Sequence, residues 1–309
     1  MDEVFARRDL IDPAELRRLC EPSDRAGFLQ LGLHLGLIAL AVLALRATLG
    51  TVWAALPFVV LGVLLNFLYA GQHELSHWTV FRTRWLNEWV GRAFGFVLFY
   101  PRTFDQIQHG AHHRYTQDWA RDGELARPHY SRASYLLWLF GPSYWFSRIR
   151  RIFRLAAVSV VEPYIPANRK AEVIREARIH LAGYVLIAVA SLWTENWAAV
   201  IYWLAPMFLT KVAHQLQNTI EHLGLPHGAN ILENTRSTRT NAVMRFLCWN
   251  MQYHTAHHAF PGVPFHALTQ VNALVRGRIE VSAPGYLALH RALIRRLRAA
   301  GAGEHREAQ

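Results

Sequence analysis

The segment His254-Thr255-Ala256-His257-His258 repeats the histidine spacing of an earlier segment, His109-Gly110-Ala111-His112-His113. Both segments have the pattern H-x-x-H-H. Positions i, i+3 and i+4 of a helix lie on the same side, so we expect each segment to direct three imidazoles toward one point. His73 and His77, one helical turn apart, form a third cluster.

The three clusters together predict a metal site. Eight histidines are more than one four-coordinate zinc ion requires, and imidazole nitrogen binds iron, copper, nickel and zinc. The number of ligands therefore favours two metal ions held mainly by nitrogen. Ordinary surface or core histidines would explain a single box, but not three clusters that each adjoin an apolar run.

The composition indicates a membrane protein with a basic face. The chain has 309 residues, of which 52% are hydrophobic, and a net charge of +11; Lys170 and Lys211 are its only lysines. These values agree if the apolar residues lie in membrane spans and the arginines lie on one side of the bilayer. We expect no nucleic-acid partner, because no nucleic-acid-binding motif accompanies the charge. Cys20 and Cys248 form no C-x-x-C pair, which excludes a disulfide scaffold.

Four apolar runs predict two helical hairpins, and the alternative is that they are buried helices of a soluble protein. The runs cover residues 28–45, 52–70, 179–193 and 197–213, and about 20 residues cross a bilayer core. Arginines are concentrated in segment 82–178, which the positive-inside rule places in the cytoplasm. We therefore predict an all-α integral membrane protein with four transmembrane helices. Both termini and a helical cap that carries the histidines would be cytoplasmic.

The same patterns divide the chain into three parts. We expect a polar cytoplasmic segment (1–27) without a signal-peptide pattern, a membrane domain (28–285), and a basic C-terminal helix and tail (286–309). Two amphipathic stretches, 148–154 and the C-terminal helix, fit either a helix on the membrane surface or one packed on the domain. The sequence leaves both interpretations open.

The order and spacing of the clusters resemble those of the integral-membrane fatty acid desaturase and hydroxylase family, from about residue 28 to about residue 268. The matching boxes are His73-x-x-x-His77, His109-x-x-His112-His113 and His254-x-x-His257-His258. The resemblance implies two iron ions, with O2 as co-substrate and electrons supplied from outside. It also implies a ninth ligand, His222, after the fourth apolar run, and places Asn218 near one metal through a water.

Four carboxylates near the histidines are candidates to orient them, because metal-bound imidazoles usually donate their second N–H to an acceptor. For the two aspartates, a solvated charge or an ion pair with Arg121 is an equally good explanation. The four candidates are Glu74, Asp118, Asp122 and Glu221.

Two enzyme functions share this architecture. The resemblance predicts a membrane acyl-lipid desaturase, and the alternative is a hydroxylase that acts on a lipid, a carotenoid or a small amphiphile. The segment Phe260-Pro261-Gly262-Val263-Pro264 after the third box is closer to bacterial fatty acid desaturases and favours desaturation.

Two further functions are weaker. Residues 73–77 also read H-E-x-x-H, the pattern of zinc metalloproteases with Glu74 as general base. That interpretation leaves six box histidines unexplained, and the L-D-G motif of the related membrane proteases is missing. A non-catalytic metal-binding membrane protein is a poor explanation of nine histidines at these spacings.

The sequence contains no haem-binding H-P-G-G motif and no cysteine motif for a cluster. Electrons must therefore come from a separate partner, for which we expect ferredoxin, or cytochrome b5 in a eukaryote. The arginine-rich cytoplasmic face would attract an acidic donor. We expect the protein in a bacterial inner membrane, where it would meet an acyl-lipid substrate.

Overall fold

The computed structural model describes residues 9–124 and 131–300, most of which are helical. Residues 1–8 of the predicted N-terminal segment and 301–309 of the predicted tail lie outside the described residues. The α-helices are α1 (Pro13–Leu19), α2 (Asp24–Thr48), α3 (Ala55–Ser76), α4 (Arg84–Val97), α5 (Arg102–Tyr115), α6 (Arg132–Leu139), α7 (Pro142–Ala156), α8 (Lys170–Trp193), α9 (Ala205–Leu209), α10 (Lys211–Asn218), α11 (Ile231–Asn234), α12 (Ala242–Leu247), α13 (His254–Ala259), α14 (Leu268–Val275) and α15 (Tyr286–Ala300).

Short elements connect these helices. They are the 3-10 turns Val52–Ala54, Ala167–Arg169 and Met251–Tyr253, a π-helical turn over Val200–Leu204, and the strands β1 (Ser237–Thr238) and β2 (Ser282–Ala283). The two strands pair in parallel, with Ser237 opposite Ser282. The prediction of an all-α chain therefore missed one two-residue ladder.

Helix α3 lies at the centre of the fold and contacts α2, α4, α5, α9 and α10. Its polar residue Asn66 is fully buried, where the side-chain amide donates to the carbonyl of Met207 at 2.7 Å. A neighbouring helix thus satisfies the polar group that interrupts this apolar run. The helix continues past the run to Ser76, so His73 lies within it and His77 caps its end.

Two helical segments, Asp24–Thr48 and Val52–Ser76, are long and apolar enough to cross a membrane. They contain the first two predicted spans. Only 17% of the residues in the apolar stretch of the first segment are buried, against 50% in that of the second. An apolar helix that exposes most of its surface is costly in water, which fits a lipid-facing helix for the first and a central one for the second.

The second predicted hairpin is less regular. Helix α8 contains the run 179–193 but starts at Lys170 with charged residues, and the run 197–213 is divided between the π turn, α9 and the start of α10, with a break at Thr210. Among residues 9–124 and 131–300, only the first two segments meet both criteria for a span. The four-span topology stays a prediction.

Both amphipathic stretches pack on the rest of the protein with one face. In α7, which contains residues 148–154, Arg148 and Ile152 are buried while Phe153 is exposed. Helix α15 buries Leu297 against Tyr135 and Leu139 of α6. These contacts favour the packed interpretation for the inner face of each helix and leave the outer face for solvent or lipid.

Candidate metal centre

The nine histidines predicted as ligands lie in two groups. We call the first the five-histidine group: His73, His77, His109, His113 and His257. We call the second the four-histidine group: His112, His222, His254 and His258. Within each group the ligand nitrogens all lie within 4.8 Å of one another. The Nε2 atoms of His73 and His257 are 2.8 Å apart, and those of His222 and His254 are 2.7 Å apart.

Each H-x-x-H-H box contributes to both groups, so the expectation that one box directs all three imidazoles to one point is wrong. Helix α5 gives His109 and His113 to the five-histidine group and His112 to the other; α13 gives His257 to the five-histidine group and the remaining two to the other. At 3.6 residues per turn, positions i and i+4 differ by about 40°, whereas i+3 and i+4 differ by about 100°. The middle histidine of each box, at position i+3, therefore points to the neighbouring group; it is His112 in the second box and His257 in the third.

The outer ring nitrogens of several histidines face oxygen atoms. His112 Nδ1 lies 2.9 Å from Asp122 Oδ1, and His109 Nδ1 lies 2.9 Å from Glu124 Oε1. Such contacts leave Nε2 directed inward, as in carboxylate–histidine–metal arrangements. Two predicted carboxylates lie further from their histidines: Glu74 Oε1 is 3.6 Å from His257 Nδ1, and Glu221 Oε1 is 3.5 Å from His254 Nδ1.

Three of these oxygen contacts were not predicted. Besides Glu124, they are Thr116, whose hydroxyl oxygen lies 3.3 Å from His258 Nδ1, and the carbonyl of Asn234, which lies 3.2 Å from His222 Nδ1. Glu124 and Thr116 were detectable as polar residues shortly after the second box. A main-chain carbonyl leaves no signal in the sequence.

Burial sets the protonation of most of the cluster. It lowers the pKa of His77 to about 4 and, together with the charge of His112, that of His222 to about 3. Neutral imidazole is the form that binds metal. His112 differs: burial opposes its charge, but Asp122 and Glu124 outweigh burial and raise its pKa to about 9. Metal binding at His112 would therefore release a proton.

Two predicted outer residues are placed differently from the prediction. Asp118 forms an ion pair with Arg121 and accepts from the backbone N–H of Ala120 at 2.9 Å, which is the alternative given above. Asn218 is the last residue of α10, so no continuous helix joins it to His222. Its amide instead donates to Glu221 Oε2 at 3.1 Å.

The donor set fits two metal ions. In the part of the chain that the structure describes, each group consists of imidazoles alone, without a cysteine or a carboxylate. Four or five neutral nitrogens suit zinc, copper and iron by ligand type. The pairing of two such groups through shared boxes is what a binuclear centre requires, and a single protease-type zinc ion does not.

The comparisons with known proteins agree with this geometry. Residues 51–290 match the family model described as fatty acid desaturase. The sn-1 oleoyl-lipid 12-desaturase of Arthrospira platensis is 23% identical over 239 residues, which cover 70% of this chain and 67% of that protein. The sn-1 oleoyl-lipid 12-desaturase of a Picosynechococcus species is 22% identical over 236 residues, with the same coverage. The family match spans most of the chain, so the protein belongs to the fatty acid desaturase family.

Proposed function

We propose that the protein is a membrane acyl-lipid desaturase that contains two iron ions and uses O2 to introduce a double bond into an acyl chain. The observation that carries the proposal is the division of nine imidazoles into two adjacent groups in a chain of the desaturase family. The names of the two relatives support an acyl lipid as substrate.

The histidines of the two groups would hold the metals, and the outer oxygens would fix the rings. When bound, the irons supply the oxidising chemistry: O2 and two external electrons are consumed with two protons while two hydrogens leave neighbouring methylenes, giving an alkene and two waters. The protein's own contribution is to hold neutral imidazoles in place. Glu124, Asp122 and Glu221 accept or face the outer N–H of their rings.

A basic cleft supports the expected approach of a separate electron donor. Its volume is about 660 Å³, and its lining includes His77 and His109 of the five-histidine group together with Arg114, Arg121 and Arg169. An acidic protein such as ferredoxin or cytochrome b5 would be attracted to this rim. Docking there would bring the donor next to two candidate metal ligands.

Lipid analysis tests the reaction directly. The full-length protein is expressed in a host that lacks such an enzyme, and the lipids are analysed by mass spectrometry. We expect an acyl chain that has lost two hydrogens, and His257→Ala at equal membrane level should give none. A chain that has gained one oxygen would instead establish the hydroxylase.

Metal analysis tests the cofactor. Protein purified without a polyhistidine tag should contain about two irons per chain, one for each histidine group. One zinc per chain without iron would contradict the proposal and support the metalloprotease reading of residues 73–77.

Reporter fusions test the topology. Fusions after Leu49 and after Glu195 should lie outside the cytoplasm, and fusions after Arg121 and after Arg278 inside, if both termini are cytoplasmic and four helices cross the membrane. A cytoplasmic signal after Glu195 would leave the first hairpin intact and remove the second.

A further inference from the structure

A buried basic cluster lies beside the five-histidine group and has no role in holding metal. It consists of Arg148 of α7, which is 7% exposed, and Lys211 of α10, which is 0% exposed. The Arg148 guanidinium lies 3.3 Å from the ring centroid of Tyr100 and 4.3 Å from that of Tyr144. Lys211 Nζ lies 3.8 Å from the centroid of the same Tyr144 ring. Two cations are thus buried against one tyrosine.

In the described part of the chain, no carboxylate pairs directly with either side chain, and Lys211 Nζ instead lies 3.1 Å from His214 Nδ1, within hydrogen-bond distance. Within residues 9–124 and 131–300, neither Arg148 nor Lys211 has an aspartate or glutamate oxygen within 4.0 Å. Asp105 acts on Arg148 electrostatically, but its carboxylate accepts hydrogen bonds from Gln72 and Ser76 instead. The buried charge of Arg148 therefore has no ion-pair partner, which is costly, and aromatic faces offset only part of that cost.

Three buried donors in the same place have no acceptor. Among the described residues, Tyr144 Oη, Trp145 Nε1 and Arg148 Nη1 have no hydrogen-bond partner, and their residues are 3%, 5% and 7% exposed. All three belong to α7, and Lys211 Nζ lies 5.4 Å from the Trp145 ring. Ordered water would satisfy such donors but would not neutralise the Arg148 charge. An anion that accepts hydrogen bonds would do both.

The surroundings indicate which anion would bind. Tyr69 connects the cluster to the metal site, since its ring centroid lies 5.4 Å from the Arg148 guanidinium and 6.4 Å from the His73 ring. On the other side, Trp145 stacks on Phe208 with ring centroids 4.5 Å apart. Aromatic walls suit an aliphatic chain with an anionic end better than a hydrated inorganic ion.

We propose that Arg148, Lys211, Tyr144 and Trp145 bind the carboxylate of an aliphatic acid one aromatic ring away from the five-histidine group. The inference rests on the proposed function and extends its substrate class: besides the ester-linked chain of an acyl lipid, the enzyme would accept an acyl chain with a free carboxylate.

Binding measurements without turnover test this site. Radiolabelled oleate and oleyl alcohol, which have the same chain, are bound to the iron-loaded, full-length protein in detergent. We expect the wild type to prefer oleate by about tenfold or more, the effect of one charge-assisted hydrogen bond. Lys211→Met should remove that preference; because it also leaves His214 Nδ1 without its 3.1 Å contact, its iron content and yield are compared with those of the wild type.

Two finer variants remove single donors. Tyr144→Phe deletes one hydroxyl and Trp145→Phe one N–H, and each should weaken oleate several-fold while oleyl alcohol binding and iron content stay unchanged. Equal affinity of the wild type for oleate and oleyl alcohol would overturn the proposal. So would full competition by inorganic phosphate, which would assign the cluster to an inorganic ion. A protein that binds oleate as expected but desaturates nothing would contradict the proposed function alone.

Discussion

The five-histidine and four-histidine groups are built from the same two boxes but are supported differently. Every ring of the four-histidine group has an oxygen near its outer nitrogen, supplied by Asp122, Asn234, Glu221 and Thr116. In the five-histidine group the structure gives such contacts for His109 and His257. The five-histidine group has more candidate ligands, and the four-histidine group has an oxygen within 3.3 Å of the outer nitrogen of three of its four rings.

This difference suggests two ways of holding a metal. Five nitrogens can lose one ligand and still offer four, the number that fills a tetrahedral site. Four nitrogens leave three, so each ring must be held in place by outer contacts. The four-histidine group should therefore be the more sensitive of the two to a change in any one of its residues.

The largest expected effect comes from removing a single candidate ligand, and single variants in the two groups should respond differently. His222→Ala should lower activity more than about 100-fold, beyond the effect of an outer contact, and should lose about one iron per chain. His77→Ala should retain more iron, because four nitrogens remain. Iron content and product formation are measured at equal membrane levels.

His266→Ala is the control for these variants, because His266 follows the third box but belongs to neither group. Wild-type product formation by a well-expressed His222→Ala protein would remove His222 from the ligand set. Equal iron loss in both variants would contradict the difference between the groups.

A smaller effect should follow from changing the outer carboxylates. Asp122→Asn removes the charge beside His112, and Glu124→Gln removes the one beside His109. We expect iron affinity to fall about 10–100-fold, more for Asp122, which also accepts from the backbone N–H of Gln117 at 2.9 Å. Competition with a chelator measures the affinity.

Asp118→Asn is the matched control for the outer carboxylates. It lies four residues before Asp122 but binds Arg121 at the surface, so its iron affinity should not change. If Asp118→Asn lowered iron affinity as much as Asp122→Asn, the effect would reflect net charge rather than contact with a histidine ring.

The sequence predicted which histidines lie together but not how they divide between the two groups. Eight of the nine follow from the residue type and spacing of the three boxes, and the ninth, His222, follows from the family resemblance. Which ring joins which group depends on how α3, α5 and α13 meet, and spacing within one helix cannot give that.

The apolar helices show the same limit. Uniform apolar runs made the first two segments predictable, whereas the break at Thr210 in the fourth run lies beside hydrogen bonds from Asn66 of α3 to Met207 and Thr210, which an apolar run does not reveal. The burial of Arg148 was also unpredictable, since a basic residue in an amphipathic stretch is ordinarily exposed. Only its contacts with Tyr100 and Tyr144 distinguish it from the neighbouring arginines.

The smallest expected effect concerns Asn218, which has two alternative routes to the four-histidine group. If it acts only by holding Glu221 next to His254, Asn218→Ala should weaken iron binding by a few-fold, the value of one hydrogen bond. In a protein that already carries Glu221→Gln, Asn218→Ala should then not weaken iron binding further, because the carboxylate through which Asn218 acts is already altered. If it acts on the metal through a water, as the family resemblance implies, the two losses should multiply. Chelator titration of both single variants and the double variant separates these outcomes.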